Sequence, residues 1–332
     1  MINDSFMHRC LTLASRGLGK TGINPMVGTV LVRDEKILAE GFHSGFGKPH
    51  AELDLLQKYD PPSPRGFGEA RQEIRSDDVL YVNLEPCVHT SKKTPPCAQL
   101  LVERGIKHVV VGMVDPNPQV AGKGIAFLRS KGVQCTGPVL LADCTRLNRG
   151  FVSLMTKGRP WITLKSARAG DGSVAYPDGR QKRITSREQD AWSHEFLRAR
   201  HDAILVGVGT VIADDPTLTV RHGDVRPDVW RIVLDPHGKI PLNTKVVNGE
   251  LAKKTIVVTT TPNEELSKQG VRVALVPLAD SGFYWELLWK TLTTPDGDFY
   301  GISSLLVEGG KRTWETFKKS SMLDEEVLLI GD

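Results

Sequence analysis

The stretch Val79-Leu-Tyr-Val-Asn-Leu-Glu-Pro-Cys87 runs from a β-rich segment directly into a proline and a cysteine. Proline has no backbone N–H to donate to a sheet, so the pattern predicts a strand that stops just before Cys87. Similar β-rich runs occupy residues 27–32 and 37–41 upstream and residues 108–112 downstream. Helix-like apolar spacing alternates with these runs. This order predicts an α/β layer rather than an all-α or all-β domain.

The length predicts more than one such layer. The chain has 332 residues, about twice the ~150 residues typical of one domain. A second series of strand patterns begins near Trp161. We therefore expect an α/β domain over residues 1–148 and a second α/β domain over residues 149–332. Hydrophobic residues make up 40% of the chain and charged residues 25%, which argues against a disordered, collagen-like or coiled-coil protein.

Charge and targeting features narrow the class further. The formal charge of +4 is too small to indicate nucleic-acid binding. No apolar run approaches the ~18 residues of a transmembrane helix, and the N-terminus lacks a secretory pattern. We therefore predict a cytoplasmic protein without a membrane partner. Five cysteines form an odd and sparse set, which fits reduced thiols or metal ligands better than a disulfide framework.

A metal site is indicated by His50-Ala-Glu52, Cys87 and Cys97. One imidazole and two thiolates are three ligands, and a catalytic zinc keeps its fourth position for water. Glu52 is too close to His50 in sequence to be a good second ligand, but its carboxyl can exchange protons with that water. Hydrolytic deamination needs such a general acid and base. The same His-x-Glu and Pro-Cys elements occur in zinc nucleobase deaminases, although nine residues separate the two cysteines here.

Four further segments carry a family resemblance. They are Asn24-Pro-Met-Val-Gly28, Gly41-Phe-His43, Thr94-Pro-Pro-Cys97 and Asp115-Pro-Asn-Pro-Gln-Val-Ala-Gly-Lys-Gly124. With the zinc motif, they make residues 5–150 similar to the deaminase half of the RibD family of bifunctional riboflavin-biosynthesis enzymes. The resemblance implies a cytidine-deaminase-like fold, Zn²⁺ on the two cysteines and His50, and Glu52 as the proton shuttle.

The resemblance also implies a pyrimidine-binding set. Its members are polar residues next to turns, namely Asn24, His43, Asp115 and Asn117. Turn chemistry alone explains Asn-Pro and Asp-Pro pairs equally well. For Cys10, Cys135 and Cys144, which occupy apolar positions, we predict core packing instead of chemistry.

The second half lacks a Gly-x-Gly-x-x-Gly motif, so a Rossmann site is not indicated. Its Gly207-Val-Gly-Thr210 and Leu306-Val-Glu-Gly-Gly310 junctions could each bring backbone N–H groups to a phosphate. Their order resembles the reductase half of the RibD family, which implies a dihydrofolate-reductase-like fold and NADPH as cofactor. The implied cofactor-binding residues are Ala167, Thr210, Asp214, Gly310, Lys311, Arg312, Thr313 and Trp314. The implied substrate-binding residues are Lys165, Arg198, Leu218, Arg221 and Glu308.

Departures from the family are concentrated in this second half. Arg168-Ala-Gly-Asp-Gly172 keeps only the Asp-Gly of a family block, and Gln181-Lys-Arg-Ile-Thr185 replaces a family serine and tryptophan. Pro236 stands at a further family serine, and the chain ends at Asp332 where the family continues. Arginines such as Arg198 also occur as ordinary salt-bridged residues. These differences leave two alternatives open, an active reductase or a degenerate reductase-like domain.

The leading expectation is therefore a two-step enzyme of riboflavin biosynthesis. It deaminates 2,5-diamino-6-ribosylamino-4(3H)-pyrimidinone 5′-phosphate, a small phosphorylated pyrimidine, and then reduces the ribosyl group to ribityl with NADPH. A deaminase with a non-catalytic second domain is the first alternative. A nucleic-acid base deaminase with an accessory binding domain is the second, and a non-enzymatic zinc scaffold is the third. The family resemblance implies a homodimer or larger homo-oligomer.

Overall fold

The computed structural model describes residues 2–60, 73–88, 96–168, 184–222, 229–279 and 282–331. The chain folds into two compact units, Met1–Gly158 and Arg159–Asp332. The division falls after helix 149–157, whereas the sequence pattern placed the boundary at Asn148. None of the helices in the described ranges is long and apolar enough to cross a membrane.

The first unit is built on a five-stranded mixed sheet. Its strands are β1 (Gly28–Arg33), β2 (Lys36–Phe42), β3 (Val79–Val82), β4 (His108–Val111) and β5 (Gln134–Thr136). The spatial order is β2-β1-β3-β4-β5. β1 pairs antiparallel with β2 and β3, and β3, β4 and β5 run parallel. The four β-rich runs identified in the sequence are therefore all strands of one sheet.

In the described part of this unit, six helices cover the two faces of the sheet. They are α1 (Asp4–Ser15), α2 (Ala51–Tyr59), α3 (Cys97–Glu103), α4 (Lys123–Ser130), α5 (Leu141–Leu147) and α6 (Arg149–Lys157). The Asn3 side chain caps α1 by accepting the Ser5 N–H at 3.0 Å. α1 and α5 belong to one apolar cluster, and α2, α3 and α4 belong to another. The sheet is thus buried between two helical layers, the arrangement expected of an α/β layer.

The second unit has a seven-stranded sheet in which every neighbouring pair is parallel. Its strands in spatial order are β10 (Arg272–Leu275), β9 (Thr255–Thr259), β8 (Trp230–Leu234), β7 (Ala203–Gly207), β13 (Ser304–Val307), β6 (Trp161–Arg168) and β14 (Glu325–Ile330). β11 (Leu278–Ala279) and β12 (Gly282–Phe283) form a separate small ribbon. Apolar clusters cover both faces, as a parallel sheet requires.

The helices of this unit follow the strands. They are α7 (Arg187–Trp192), α8 (Val208–Asp214), α9 (Gly249–Ala252), α10 (Glu264–Lys268), α11 (Trp285–Thr293) and α12 (Lys311–Lys319). α7 begins with a reciprocal capping box between Ser186 and Gln189. It continues into a π-helical turn, Ser193–Leu197, and a 3₁₀ turn, Arg198–Arg200. This change of helical geometry matters because π turns often accompany functional residues.

Candidate active sites

Three metal-ligating side chains converge after the carboxyl end of β3. The ligand atoms of His50, Cys87 and Cys97 all lie within 4.8 Å of one another. Nδ1 of His50 is 3.2 Å from Sγ of Cys97 and 3.7 Å from Sγ of Cys87. One imidazole and two sulfurs at this spacing match the donor set of a catalytic zinc with one open position. The residues present therefore fit Zn²⁺.

The local fold explains how His50 and Cys97 reach this point. His50 precedes α2 in an extended conformation, and Cys97 is the first residue of α3. α2 approaches β2 closely because Gly41 has no side chain. A Cβ there would lie 2.4 Å from the Ala51 carbonyl oxygen. Asp54 then ties α2 to the same strand by accepting the Phe42 N–H at 3.0 Å.

Cys87 is prepared for metal binding. Hydrogen bonding to the Cys97 thiol, together with the His50 imidazole, outweighs the opposing effect of burial and lowers the pKa of Cys87 to about 3. The thiolate is the form of cysteine that binds metal. The surroundings therefore favour the ionised ligand at Cys87, whereas hydrogen bonding to Cys87 and burial raise the pKa of Cys97.

Glu52 stands beside the triad with its carboxyl buried, only 4% of the residue being exposed. Burial raises the pKa of Glu52, and the nearby Cys87 sulfur raises it further. Its carboxyl also interacts with His50 and Cys97. A carboxyl that accepts a proton more readily than usual, next to a metal site, suits a proton-transfer role.

A cavity of about 300 Å³ opens onto His50, Glu52 and Cys87. The four residues that the family resemblance implied for pyrimidine binding, Asn24, His43, Asp115 and Asn117, all line it. The fold thus brings together residues from five separate segments of the first unit. Their contacts with a substrate remain a prediction.

The polar cavity residues also make turn contacts. Asn117 donates its N–H to Oδ1 of Asp115 at 2.8 Å, and Gln119 donates its N–H to Oδ1 of Asn117 at 3.0 Å. His43 Nδ1 lies 3.0 Å from the Pro49 carbonyl oxygen, which orients the ring when Nδ1 carries the proton. These residues therefore make turn hydrogen bonds and line the cavity at the same time.

The lining residues that the sequence reasoning did not assign to the site include Glu85, Phe151 and Met155. Phe151 and Met155 are four residues apart on α6 and share one helix face. Their apolar spacing was visible, but residues from 149 onward were placed in the second domain. Glu85 was visible too, as the residue before Pro86-Cys87, although its partners lie 30 or more residues away in sequence.

In the second unit, Arg198 and Glu308 form a two-pronged ion pair. Nε and Nη2 of Arg198 donate to the two carboxylate oxygens at 2.8 and 2.6 Å. Nη1 of Arg198 donates to the Thr219 carbonyl oxygen at 3.0 Å. Burial raises the pKa of Glu308, but the Arg198 charge and hydrogen bonds outweigh it and hold that pKa at about 2. Most of the guanidinium is therefore directed at protein groups.

The other implied substrate residues surround this pair. Lys165, on β6, is close enough to lower the pKa of Glu308 further. Leu218 is buried with a left-handed φ of 49°. Arg221 donates its backbone N–H to Nδ1 of His194 at 2.9 Å. His194, in the π turn, was missed by sequence reasoning. Burial, with the charges of Arg198 and Arg221, lowers its pKa to about 4.

Two of the implied cofactor residues, Thr210 in the first turn of α8 and Gly310 just before α12, are in contact. Thr210 Oγ1 accepts the Gly310 N–H at 3.3 Å, and Gly310 immediately precedes α12. The indole Nε1 of Trp314 is buried without a hydrogen-bond partner in the described part of the chain. The Arg168 guanidinium lies 5.6 Å from the Trp314 ring centre. A helix N-terminus after two glycines offers backbone N–H groups to a phosphate, so this junction fits a dinucleotide phosphate.

The remaining implied residues are placed around that junction. Thr313 packs directly against Gly309, because a Cβ added to Gly309 would lie 2.3 Å from the Cβ of Thr313. Lys311 and Arg312 are exposed in the first turn of α12, Asp214 ends α8, and Ala167 lies on β6. Residues 169–172 and 181–183, where two family departures fall, lie outside the described residues, as does most of the segment between Cys87 and Cys97. Residues 61–72 do so as well.

Both halves of the chain match models of protein families. Residues 2–113 match the cytidine and deoxycytidylate deaminase zinc-binding region. Residues 160–331 match the RibD C-terminal domain. The riboflavin biosynthesis protein RibD of Aquifex aeolicus is 40% identical, over 99% of this chain and 87% of that protein. This chain belongs to the RibD family.

Other RibD relatives agree with this assignment. The Escherichia coli protein is 32% identical over 100% of this chain and 88% of its own length. The solved structure of Acinetobacter baumannii RibD has a TM-score of 0.79 at 32% identity, covering 98% of this chain and 86% of that one. The Thermotoga maritima diaminohydroxyphosphoribosylaminopyrimidine deaminase/5-amino-6-(5-phosphoribosylamino)uracil reductase has a TM-score of 0.75 at 36% identity, covering 96% and 83%.

The RibD assignment confirms two expectations from the sequence. The family resemblance is confirmed by relatives that match almost the whole chain. The fold class is also confirmed, with a cytidine-deaminase-like first unit and a RibD reductase-type second unit. Zinc and NADPH are the cofactors of these two domain types, and the described cysteines and His50 supply the matching metal site.

Proposed function

We propose that this chain catalyses two consecutive reactions of riboflavin biosynthesis. The first is hydrolytic deamination of 2,5-diamino-6-ribosylamino-4(3H)-pyrimidinone 5′-phosphate. The second is NADPH-dependent reduction of the ribosyl group to ribityl. The observation that carries the proposal is the buried Glu52 carboxyl beside a His-Cys-Cys triad, at the wall of a cavity of about 300 Å³.

In deamination, the bond between a ring carbon and its exocyclic amino group is exchanged for a C–O bond to an oxygen from water, and ammonia leaves. His50, Cys87 and Cys97 would hold Zn²⁺, which would lower the pKa of a water and so make it a nucleophile near neutral pH. Glu52 is placed to accept a proton from the attacking water and to deliver it to the departing amino nitrogen. The buried position of Glu52 supports both steps, because a raised pKa makes its protonated form accessible. A single carboxyl, that of Glu52, therefore both accepts and returns the transferred proton.

The cavity wall would orient the pyrimidine. We assign Asn24, His43, Asp115 and Asn117 to its polar edge, because all four line the cavity that contains Glu52. Amide, imidazole and carboxyl groups can match the alternating donors and acceptors of an aminopyrimidine.

For the reductase, bound NADPH would supply the hydride that reduces the sugar carbon. We assign Thr210, Asp214 and Gly310–Trp314, with Ala167, to its binding, supported by the Thr210–Gly310 hydrogen bond at the start of α12. We assign Lys165, Leu218, Arg221 and Glu308 to the phosphorylated substrate. We include Arg198 in this set because its two hydrogen bonds to the Glu308 carboxylate hold that side chain in place.

One purified preparation tests both activities. Metal analysis should find one zinc per chain, and the diaminopyrimidine substrate should release ammonia. The deaminated product should then oxidise NADPH. Ammonia release without NADPH binding or oxidation would identify a deaminase with a non-catalytic second unit. Absence of both zinc and ammonia release would overturn the deaminase assignment.

We also infer a cytoplasmic location and a homodimeric or larger assembly. All five cysteines are free, which suits a reducing compartment. β14 lies at one edge of the larger sheet, and its Leu328 and Ile330 are 44% and 59% exposed. Exposed apolar edge strands are commonly covered in assemblies. Cell fractionation and analytical ultracentrifugation test these two inferences.

A further inference from the structure

The carboxylate of Glu85 receives three backbone hydrogen bonds from a distant loop. Oε2 accepts the N–H of Asp115 at 3.0 Å and the N–H of Gly122 at 2.9 Å. Oε1 accepts the N–H of Ile125 at 3.0 Å. Glu85 is 3% exposed. This buried carboxylate is hydrogen-bonded to three backbone N–H groups. It holds them in place, because leaving any of these N–H groups unpaired in the interior is unfavourable.

Two of these donors belong to the start of α4, which has no cap of its own. Gly122 occupies the capping position and offers no side chain. The first N–H groups of a helix lack partners within the helix and attract a negative charge. Glu85 therefore acts as a cap supplied from another part of the chain. Contact is close at this point, since a Cβ on Gly124 would lie 2.0 Å from the Pro86 carbonyl oxygen.

The loop that Glu85 holds is one wall of the deaminase cavity. Its first residue, Asp115, accepts the Asn117 N–H, and both side chains line the cavity along with Glu52. Glu85 itself lies two residues before the ligand Cys87. The same residue thus joins the segment that carries a metal ligand to the segment that faces the pyrimidine.

We propose that Glu85 is a positioning residue, which fixes the loop of residues 115–125 so that Asp115 and Asn117 face the substrate. This inference rests on the proposed deaminase function. A glutamine at position 85 keeps the size of the side chain but replaces one acceptor oxygen by a donor. At least one of the three backbone N–H groups then loses its partner.

The test uses the full chain with Glu85→Gln. We expect KM for the diaminopyrimidine to rise about tenfold or more, with a smaller change in kcat and an unchanged zinc content. Amide hydrogen exchange at Asp115, Gly122 and Ile125 should accelerate in the absence of substrate. Gly124→Ala, which crowds the same contact from the helix side, should also raise KM and accelerate exchange in this loop.

Asp78→Asn provides the matched control. Asp78 is fully buried at the opposite end of β3, where it accepts the Arg75 N–H at 2.8 Å and pairs with Arg33. We expect this variant to lose stability without a change in KM or in exchange at residues 115–125.

Two results would overturn the proposal. One is wild-type KM and wild-type exchange at the three amides in Glu85→Gln. The other is loss of zinc with an unchanged KM, which would restrict Glu85 to supporting the metal segment. If the unaltered chain releases no ammonia, the proposed function fails. The exchange measurement on the same three amides still decides whether Glu85 holds the loop, so the two failures are distinguishable.

Discussion

Arg198 and Glu308 face each other as a bidentate ion pair, with N–O distances of 2.8 and 2.6 Å. Both side chains are largely buried, at 13% and 8% exposure. A buried pair of this kind gains little over apolar packing, but breaking it by removing one partner is costly. The pair therefore fixes the position of the Glu308 carboxylate at the carboxyl end of β13.

Arg198→Met should destabilise the protein by about 3–5 kcal/mol, because it leaves Glu308 buried and unpaired. The double variant Arg198→Met with Glu308→Gln should recover much of that loss. Denaturant unfolding of the full chain measures both. Arg272→Met is the control, since the Asp296 partner of Arg272 is exposed, and it should cost under about 1 kcal/mol. A double variant no more stable than Arg198→Met would contradict this account.

Glu308 should also make stability depend on acidity. Its pKa in the folded protein is about 2, below the ordinary value of 4.5. The unfolded chain therefore binds the proton first on acidification. The stabilisation, about 3 kcal/mol, is present above pH ~4.5 and is lost as the pH falls towards ~2. The difference in unfolding free energy between wild type and Glu308→Gln should shrink over this window. A constant difference across it would show that Glu308 is not held ionised.

Much of the fold was predictable because its strands are local patterns. The runs 27–32 and 37–41 match β1 and β2 within a residue or two, and the second strand series, expected near Trp161, begins with β6 at that residue. The candidate metal site, at which His50, Cys87 and Cys97 come together, was predictable for a related reason. The chemistry of these residues is specific, and Glu52 and Cys87 stand next to recognisable partners in sequence.

The features that the sequence did not predict depend on contacts between segments that are distant along the chain. Glu85 holds a loop that begins 30 residues later, and no local pattern reveals which backbone N–H groups will reach it. α6 was placed with the second domain, because it directly precedes the new strand series at Trp161. In the structure its Phe151 and Met155 line the first unit's cavity. The position of His194 depends on the π turn, a geometry that the local sequence does not indicate.

Glu52→Gln should lower the rate of ammonia release by about a hundredfold to ten-thousandfold, the usual contribution of general acid–base catalysis. Zinc content should stay at the wild-type level, because Glu52 is not a ligand. Steady-state kinetics and metal analysis on the same samples check both statements. Glu103→Gln, an exposed carboxyl on α3, should leave the rate unchanged. Full activity in Glu52→Gln would favour a non-enzymatic zinc scaffold.

Cys97→Ser should abolish zinc binding and ammonia release together, since two of the three ligands remain and the site loses a thiolate. Chelation of the wild-type protein should have the same effect, and added Zn²⁺ should restore activity to the chelated protein only. Cys135→Ser is the control, because Cys135 lies half-buried on β5 away from the triad. Retention of stoichiometric zinc by Cys97→Ser would remove Cys97 from the ligand set.

Thr210→Val should weaken NADPH binding. The Thr210 hydroxyl accepts the Gly310 N–H at the start of α12, so its loss frees the backbone that is assigned to a cofactor phosphate. One neutral hydrogen bond is worth about 1 kcal/mol, so Kd should rise about fivefold by fluorescence titration. Ammonia release should not change, because the deaminase cavity lies in the other unit. Thr316→Val, which removes a hydroxyl bonded within α12 to the Arg312 carbonyl oxygen, should leave Kd unaltered. An equal rise in Kd in both variants would indicate a general effect on α12 and would remove Thr210 from the cofactor site.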